Sequence, residues 1–155
     1  MPKTVISDTS CLIILSKIGE FDLLQKAYTK VEITTEVANE FGEKLPGWIK
    51  ITSPSDIHRQ QILELQVDRG ESSAIALALE KPGSTIILDD YKARRVAEQL
   101  GLKVTGTVGI IVKAKLRGII PSIKPYLKKI RTTDFRLSNE LEELALKEAG
   151  EESDV

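Results

Sequence analysis

The sequence is poor in cysteine, histidine and aromatic residues, and these shortages narrow the kinds of site it can build. Among 155 residues there is one cysteine, one histidine and one tryptophan, and aromatic residues make up 5%. The lone Cys11 excludes an internal disulfide, and its apolar neighbours predict a buried, inert thiol. His58 lies in the polar stretch DIHRQQ, which favours a surface position over a catalytic one.

Long apolar segments are also missing. No run of about 18 apolar residues occurs, so we expect no transmembrane helix. The first residues lack a basic stretch followed by an apolar core, so we expect no signal peptide. From these two absences we predict a cytoplasmic protein.

The length and charge of the chain predict one globular domain with an uneven surface. We assign residues 1–150 to a single domain and residues 151–155 to a disordered acidic tail. The net charge of −1 gives no overall attraction to nucleic acid. Residues 113–136, however, carry eight Lys or Arg against one acid. This basic block either faces a polyanion or is an ordinary solvated surface.

Short apolar segments alternate with helical patterns along the chain. The segments read as strands are Thr4–Ile6, Val31–Ile33, Trp48–Thr52, Thr85–Leu88 and Val104–Thr105. The helical segments between them include a small-residue helix, Ser72–Leu79, and a long apolar helix, Val108–Leu116. Strands that alternate with helices predict a parallel sheet covered on both faces. The expected fold is therefore a three-layer α/β/α sandwich with a central parallel sheet of four or five strands.

Acidic residues occur where the predicted strands end. Asp8 follows the first strand, Asp89 and Asp90 follow the fourth, Glu71 begins a helix, and Glu40 lies late in another helix. Each acid alone has an ordinary explanation, such as a helix cap or a turn. Because the carboxyl ends of parallel strands share one edge, we expect these acids to meet there. Clustered carboxylates are stable mainly around cations, and such oxygen ligands suit Mg²⁺ or Mn²⁺.

Three stretches carry a resemblance to a known family: ISDTSCLIIL, RGESSAIALA and ILDDYKARRVAEQLGLKVTGTVGIIVKAKLRGII. From about Val5 to Gly150 the chain resembles the PIN-domain family. The third stretch is the most specific, and it is similar to a VapC-toxin-like, largely uncharacterised prokaryotic branch. The resemblance implies a PIN-like parallel sheet flanked by helices, with acids that bind Mg²⁺ or Mn²⁺ and cleave RNA.

The resemblance also implies which residues form the site. By position, the metal-binding and catalytic acids are Asp8, Glu40, Glu71 and Asp90, with Asp89 as a neighbour or substitute and Ser10 as a supporting hydroxyl. Glu71 departs from the Asp that many PIN domains have there. The choices between Asp89 and Asp90, and between Glu36 and Glu40, stay open. The cations Lys92, Arg94 and Arg95, together with the basic block, are expected to bind RNA phosphates.

These observations predict a metal-dependent ribonuclease acting on single-stranded RNA. The resemblance to VapC toxins further implies the toxin of a toxin–antitoxin pair, with a small antitoxin protein as partner. One alternative is a PIN-like protein-binding module that does not cleave. A less favoured one is an aspartate-dependent phosphatase of the haloacid-dehalogenase type, which needs a second acid where Ser10 stands. The apolar segment Val108–Leu116, with Ile119 and Ile120, suggests a homodimer, or else completes the core.

Overall fold

The computed structural model describes residues 3–152, and within them it contains a sheet of five strands. The strands are β1 (Thr4–Ser7), β2 (Lys30–Ile33), β3 (Ile49–Ile51), β4 (Thr85–Ile87) and β5 (Lys103–Thr105). The helices are α1 (Thr9–Lys17), α2 (Asp22–Ala27), α3 (Thr35–Phe41), α4 (Ile57–Leu63), α5 (Arg69–Leu79), α6 (Tyr91–Gln99), α7 (Thr107–Leu116), α8 (Lys124–Arg131) and α9 (Asn139–Glu148). Helices flank the sheet, so the predicted α/β/α sandwich is confirmed.

All neighbouring strands of the sheet are parallel, in the order β3-β2-β1-β4-β5. The chain first builds the sheet outward from β1 through β2 to β3, and then returns to the other side of β1 with β4 and β5. The order therefore reverses between β1 and β4. In open α/β sheets, ligands bind outside the carboxyl ends of the strands at such a reversal.

The two faces of the sheet bury separate apolar clusters. Val5 and Ile87 point into a cluster formed with α1, α2, α7, α8 and α9, whereas Ile6 and Ile86 point into one formed with α5 and α6. Successive strand residues face opposite sides, and all four of these side chains are inaccessible to solvent. Burial on both faces explains why these strands are continuous β-branched runs rather than alternating ones.

Helix α5 begins three residues earlier than its small-residue pattern predicted. We expected it to start at Ser72 and read Gly70 as a break, but the helix starts at Arg69. Asp68 provides the N-cap, and its side chain accepts a hydrogen bond from the Glu71 N–H. An N-cap carboxylate satisfies amides of the first turn, so a glycine is tolerated inside that turn.

Helix α7 is buried within a single chain. Val108, Ile110, Ile111, Val112 and Ala114 all lie in the core beneath α2, α8 and α9. Most of this apolar segment therefore completes the core, as the alternative interpretation held, although Leu116 at its end is 62% exposed. The homodimer stays a prediction.

The carboxyl-terminal end of the described chain packs against the fold. The Glu151 carboxylate accepts hydrogen bonds from the Ser122 hydroxyl and the Ile123 N–H. Lys115 also lies 3.7 Å from it. We had placed Glu151 in a disordered tail, whereas these contacts hold it in place. The expectation for residues 153–155 lies outside the described residues. Over residues 3–152, the structure contains no helix long and apolar enough to cross a bilayer.

Candidate metal centre

A cavity of about 320 Å³ opens at the carboxyl edge of the sheet, beside the ends of β1 and β4. All five acids proposed from the sequence line it: Asp8, Glu40, Glu71, Asp89 and Asp90. Thr9, Ser10 and a sixth acid, Asp68, complete the lining. The fold therefore brings together side chains that are as many as 82 positions apart along the chain, from Asp8 to Asp90.

Asp8 is the most firmly held of these acids. It directly follows β1, is 3% exposed, and caps α1 through the Cys11 N–H at 2.9 Å. Its second carboxylate oxygen accepts the Asp89 N–H at 3.0 Å, and its own N–H donates to the Ile87 carbonyl at 3.1 Å. Burial raises the pKa of Asp8 well above its ordinary value, and repulsion from Asp89 raises it further. A nearby cation would remove this penalty on the charged form.

Asp89 and Asp90 have different roles in the structure. Both Asp89 carboxylate oxygens accept hydrogen bonds from Thr107, one from its N–H at 2.8 Å and one from its hydroxyl at 2.6 Å. Asp89 thus ties the end of β4 to the start of α7. Asp90 caps α6 by accepting the Ala93 N–H at 3.0 Å through one oxygen. Asp89 therefore makes two long-range links, through its side chain to Thr107 and through its N–H to Asp8, whereas Asp90 makes the local cap of α6.

Glu40 reaches the cavity because its neighbours leave room for it. Its carboxylate accepts the Thr9 hydroxyl at 2.6 Å and lies over the first turn of α5. A Cβ atom at Gly70 would come within 2.2 Å of the nearer Glu40 oxygen. Glu36 instead accepts a hydrogen bond from Gln60 on α4 and does not line the cavity. Of these two alternatives, the geometry favours Glu40.

Glu71 lies in the first turn of α5, where the positive end of the helix dipole favours an anion. Even so, partial burial raises its pKa to about 7, with further contributions from Asp68 and Asp90. The sequence reasoning overlooked Asp68. Its signal was the spacing from Asp68 to Glu71, which matches an N-cap followed by an acid at the third helical position.

The basic residues expected to contact RNA divide into two groups. Lys92 and Arg95 are exposed on α6, and Arg95 donates a hydrogen bond to the Tyr91 hydroxyl at 3.1 Å. Arg94 is partly buried and donates to the Leu88 carbonyl at 3.1 Å. Arg94 therefore supports the loop after β4, while Lys92 and Arg95 stay available to a ligand.

The donor set of the cavity suits a hard divalent cation. Six carboxylates and two hydroxyls line it, and none of its lining residues within the described chain is basic. Across residues 3–152, no three acidic, histidine or cysteine side chains converge closely enough to form a ready-made metal centre. Mg²⁺ usually keeps several of its waters and binds through one or two carboxylates, so it does not require such convergence. The residues present fit Mg²⁺ or Mn²⁺ on this chemistry.

Comparison with known proteins identifies the family. The model of a PIN-domain family matches residues 4–151, which is nearly the whole chain. No curated protein matches the sequence significantly. PIN domains are generally nucleases, so the fold and its acidic edge are of a nuclease type. The chain belongs to the PIN-domain family.

Proposed function

We propose that this protein is a metal-dependent ribonuclease that hydrolyses phosphodiesters of single-stranded RNA. The observation that carries the proposal is the six-acid cavity at the reversal of strand order, with no basic residue in its lining. Asp8, Glu40, Glu71 and Asp90 would hold Mg²⁺ or Mn²⁺, with Asp89 beside them. A bound divalent cation supplies a Lewis acid and lowers the pKa of its water.

The protein's own residues have distinct tasks in this proposal. Two backbone N–H groups fix the Asp8 carboxylate, so it provides the most rigid ligand. Glu40, held by the Thr9 hydroxyl, and Glu71 bring charge from the helical side of the cavity. Lys92 and Arg95 would attract the phosphate backbone, and they should affect RNA affinity and its salt dependence more than the chemical step.

A non-catalytic, protein-binding PIN-like module is the second candidate. The absence of a ready-made metal centre within residues 3–152 favours it. The phosphatase alternative is weaker, because Ser10 stands where a second acid is needed. We keep the finer assignments as proposals: a VapC-toxin-like protein, a small antitoxin partner, and a homodimer.

The test is RNA cleavage in Mn²⁺, Mg²⁺ or EDTA by the wild type, Asp8→Asn and a control, Asp22→Asn. Asp22 is an exposed acid on α2, away from the cavity. We expect metal-dependent cleavage by the wild type and by Asp22→Asn. In Asp8→Asn we expect a loss of about 100-fold or more, the range seen when a group that stabilises transition-state charge is removed.

Undiminished cleavage by Asp8→Asn, or by the wild type in EDTA, would refute the metal mechanism. If the wild type cleaves none of several RNAs in either metal, the result favours the protein-binding module over the ribonuclease.

A further inference from the structure

A second concave surface adjoins the acidic cavity. We call it the α1 groove; it lies between α1 and residues 133–135, and its volume is about 640 Å³. That volume falls in the range of about 300–1,000 Å³ that small-molecule sites occupy. Thr9, Ser10 and Glu40 line both the groove and the cavity. The two surfaces are therefore continuous, and a ligand that spans them would extend beyond the acids.

The walls of the α1 groove are largely apolar. Ile13 is 37% exposed, whereas its neighbours Leu12 and Ile14 on α1 are buried. Phe135 also lines the groove, and it is partly buried against the core. Single-stranded nucleic acids stack their bases on apolar and aromatic side chains of this kind.

The groove also has a cation at its rim. Lys17 on α1 lies 3.6 Å from Asp134, and both side chains are at least half exposed, at 51% and 102%. An exposed pair of this kind contributes about 0–1 kcal/mol, so a phosphate can replace Asp134 at small cost. The groove thus pairs an apolar wall with an exchangeable positive charge.

From these features we infer that the α1 groove is a nucleobase subsite for the substrate strand. One base packs between Ile13 and Phe135, and Lys17 contacts a neighbouring phosphate. The inference rests on the proposed function, because it takes the occupant to be the strand whose phosphate reaches Asp8. Continuity with the acidic cavity favours this occupant over a separate peptide.

The experiment measures binding rather than cleavage. Proteins carrying Asp8→Asn are titrated, in Mg²⁺, into a fluorescent 12-nucleotide single-stranded RNA and into a ribose-phosphate oligomer of equal length without bases. Ile13→Ser is compared with Ile57→Ser, an exposed isoleucine (61%) on α4 at the other face of the sheet. Thermal melting checks that each variant folds.

We expect Ile13→Ser to weaken RNA binding about ten-fold and to leave binding of the base-free oligomer unchanged. Ile57→Ser should leave the affinity for both oligomers unchanged. Lys17→Ala should weaken the affinity for both by a similar factor. Equal RNA affinity for Ile13→Ser and Ile57→Ser would overturn the inference. So would equal affinity for the RNA and the base-free oligomer in the protein whose groove is unchanged.

The two proposals can fail separately. Metal-dependent cleavage by the wild type together with an ineffective Ile13→Ser change would overturn the subsite and leave the nuclease standing. Ile13-dependent RNA binding without any cleavage would support the subsite and count against the nuclease.

Discussion

The carboxylates of the acidic cavity differ in how many hydrogen-bond donors offset their negative charge. Asp8 is buried but receives two backbone N–H donors, and Asp89 receives two donors from Thr107. Burial raises the pKa of Glu71 most, and the Asp68 and Asp90 carboxylates raise it further. Removing the charge at Glu71 therefore measures the combined effect of burial and repulsion in the cavity.

We predict that Glu71→Gln stabilises the metal-free protein at neutral and alkaline pH. The folded-state pKa of Glu71 is about 7, against an ordinary value of 4.5, so the folded protein retains this proton to higher pH. Wild-type stability from this group is complete below pH 4.5 and is lost as the pH rises through about 7. Because Glu71 is only partly buried, solvent screens this effect, and we expect a gain on the order of 1 kcal/mol for the glutamine variant at pH 8.

Urea unfolding in EDTA at pH 4 and pH 8 measures the effect, with the exposed Glu98→Gln as control. The two glutamine variants should differ at pH 8 and agree at pH 4. Adding Mn²⁺ at pH 8 should stabilise the wild type more than Glu71→Gln. A pH-independent difference would contradict the raised pKa.

At the scale of elements, the junction of α3 and α5 places Glu40 over the first turn of α5. The close approach of Glu40 to α5 depends on Gly70, which has no side chain to displace the Glu40 carboxylate. The same glycine disfavours the helix by about 1 kcal/mol relative to alanine. The two effects can be separated by substitution.

We predict that Gly70→Ala lowers activity while leaving stability unchanged or higher. The new methyl group would force the Glu40 carboxylate away from a position that is now 2.2 Å from the added Cβ. Since that carboxylate ends a flexible side chain, the fold can adapt, and alanine suits the helix. We expect about a ten-fold loss of Mn²⁺ affinity by calorimetry.

Gly47→Ala is the matched control, because nothing lies within 4 Å of a Cβ placed there. Full metal affinity in Gly70→Ala would show that Glu40 does not bind the metal.

The sequence predicted the five strands well, because β-branched apolar runs between helical patterns leave few alternatives. It also predicted which acids would share an edge, since each follows a strand or lies in a helix next to one. The different roles of Asp89 and Asp90 could not be predicted, because the partner of Asp89 is Thr107, which lies 18 residues away. Asp68 was overlooked because an N-cap is usually only structural.

Helix α7 shows another limit of sequence reasoning. A helix that is apolar on all sides is buried, but the sequence does not show whether its own chain or a second copy covers it. Here α8 and α9 follow it and belong to the cluster that encloses it. Their contribution became clear only from the packing.

At the scale of the whole molecule, exposed apolar side chains lie together on and after α4. Ile62 and Leu65, which we call the α4 surface, are 64% and 84% exposed. They lie on the opposite side of the sheet from the α1 groove, since α4 packs on α5. An interface at this surface would leave the groove open to RNA.

We predict that the protein forms a homodimer through this α4 surface. Light scattering at micromolar concentration should give twice the mass of one chain, and Ile62→Glu with Leu65→Glu should reduce it to the mass of one. The exposed Leu116→Glu, on α7, is the control. A wild type that scatters only as a single chain would contradict the dimer.

The separation of the core into two clusters has a consequence for local opening. β1 and β4 are the strands whose residues enter both clusters, whereas β3 and β5 lie at the sheet edges. Amide hydrogens of β1 and β4 should therefore exchange with solvent only when the whole molecule unfolds, and those of the edge strands should exchange through smaller fluctuations. Asp8 and Asp89 follow these two strands, so we expect the backbone directly beneath the acidic cavity to be among the last to open. The two carboxylates should then keep their places while the edge strands open.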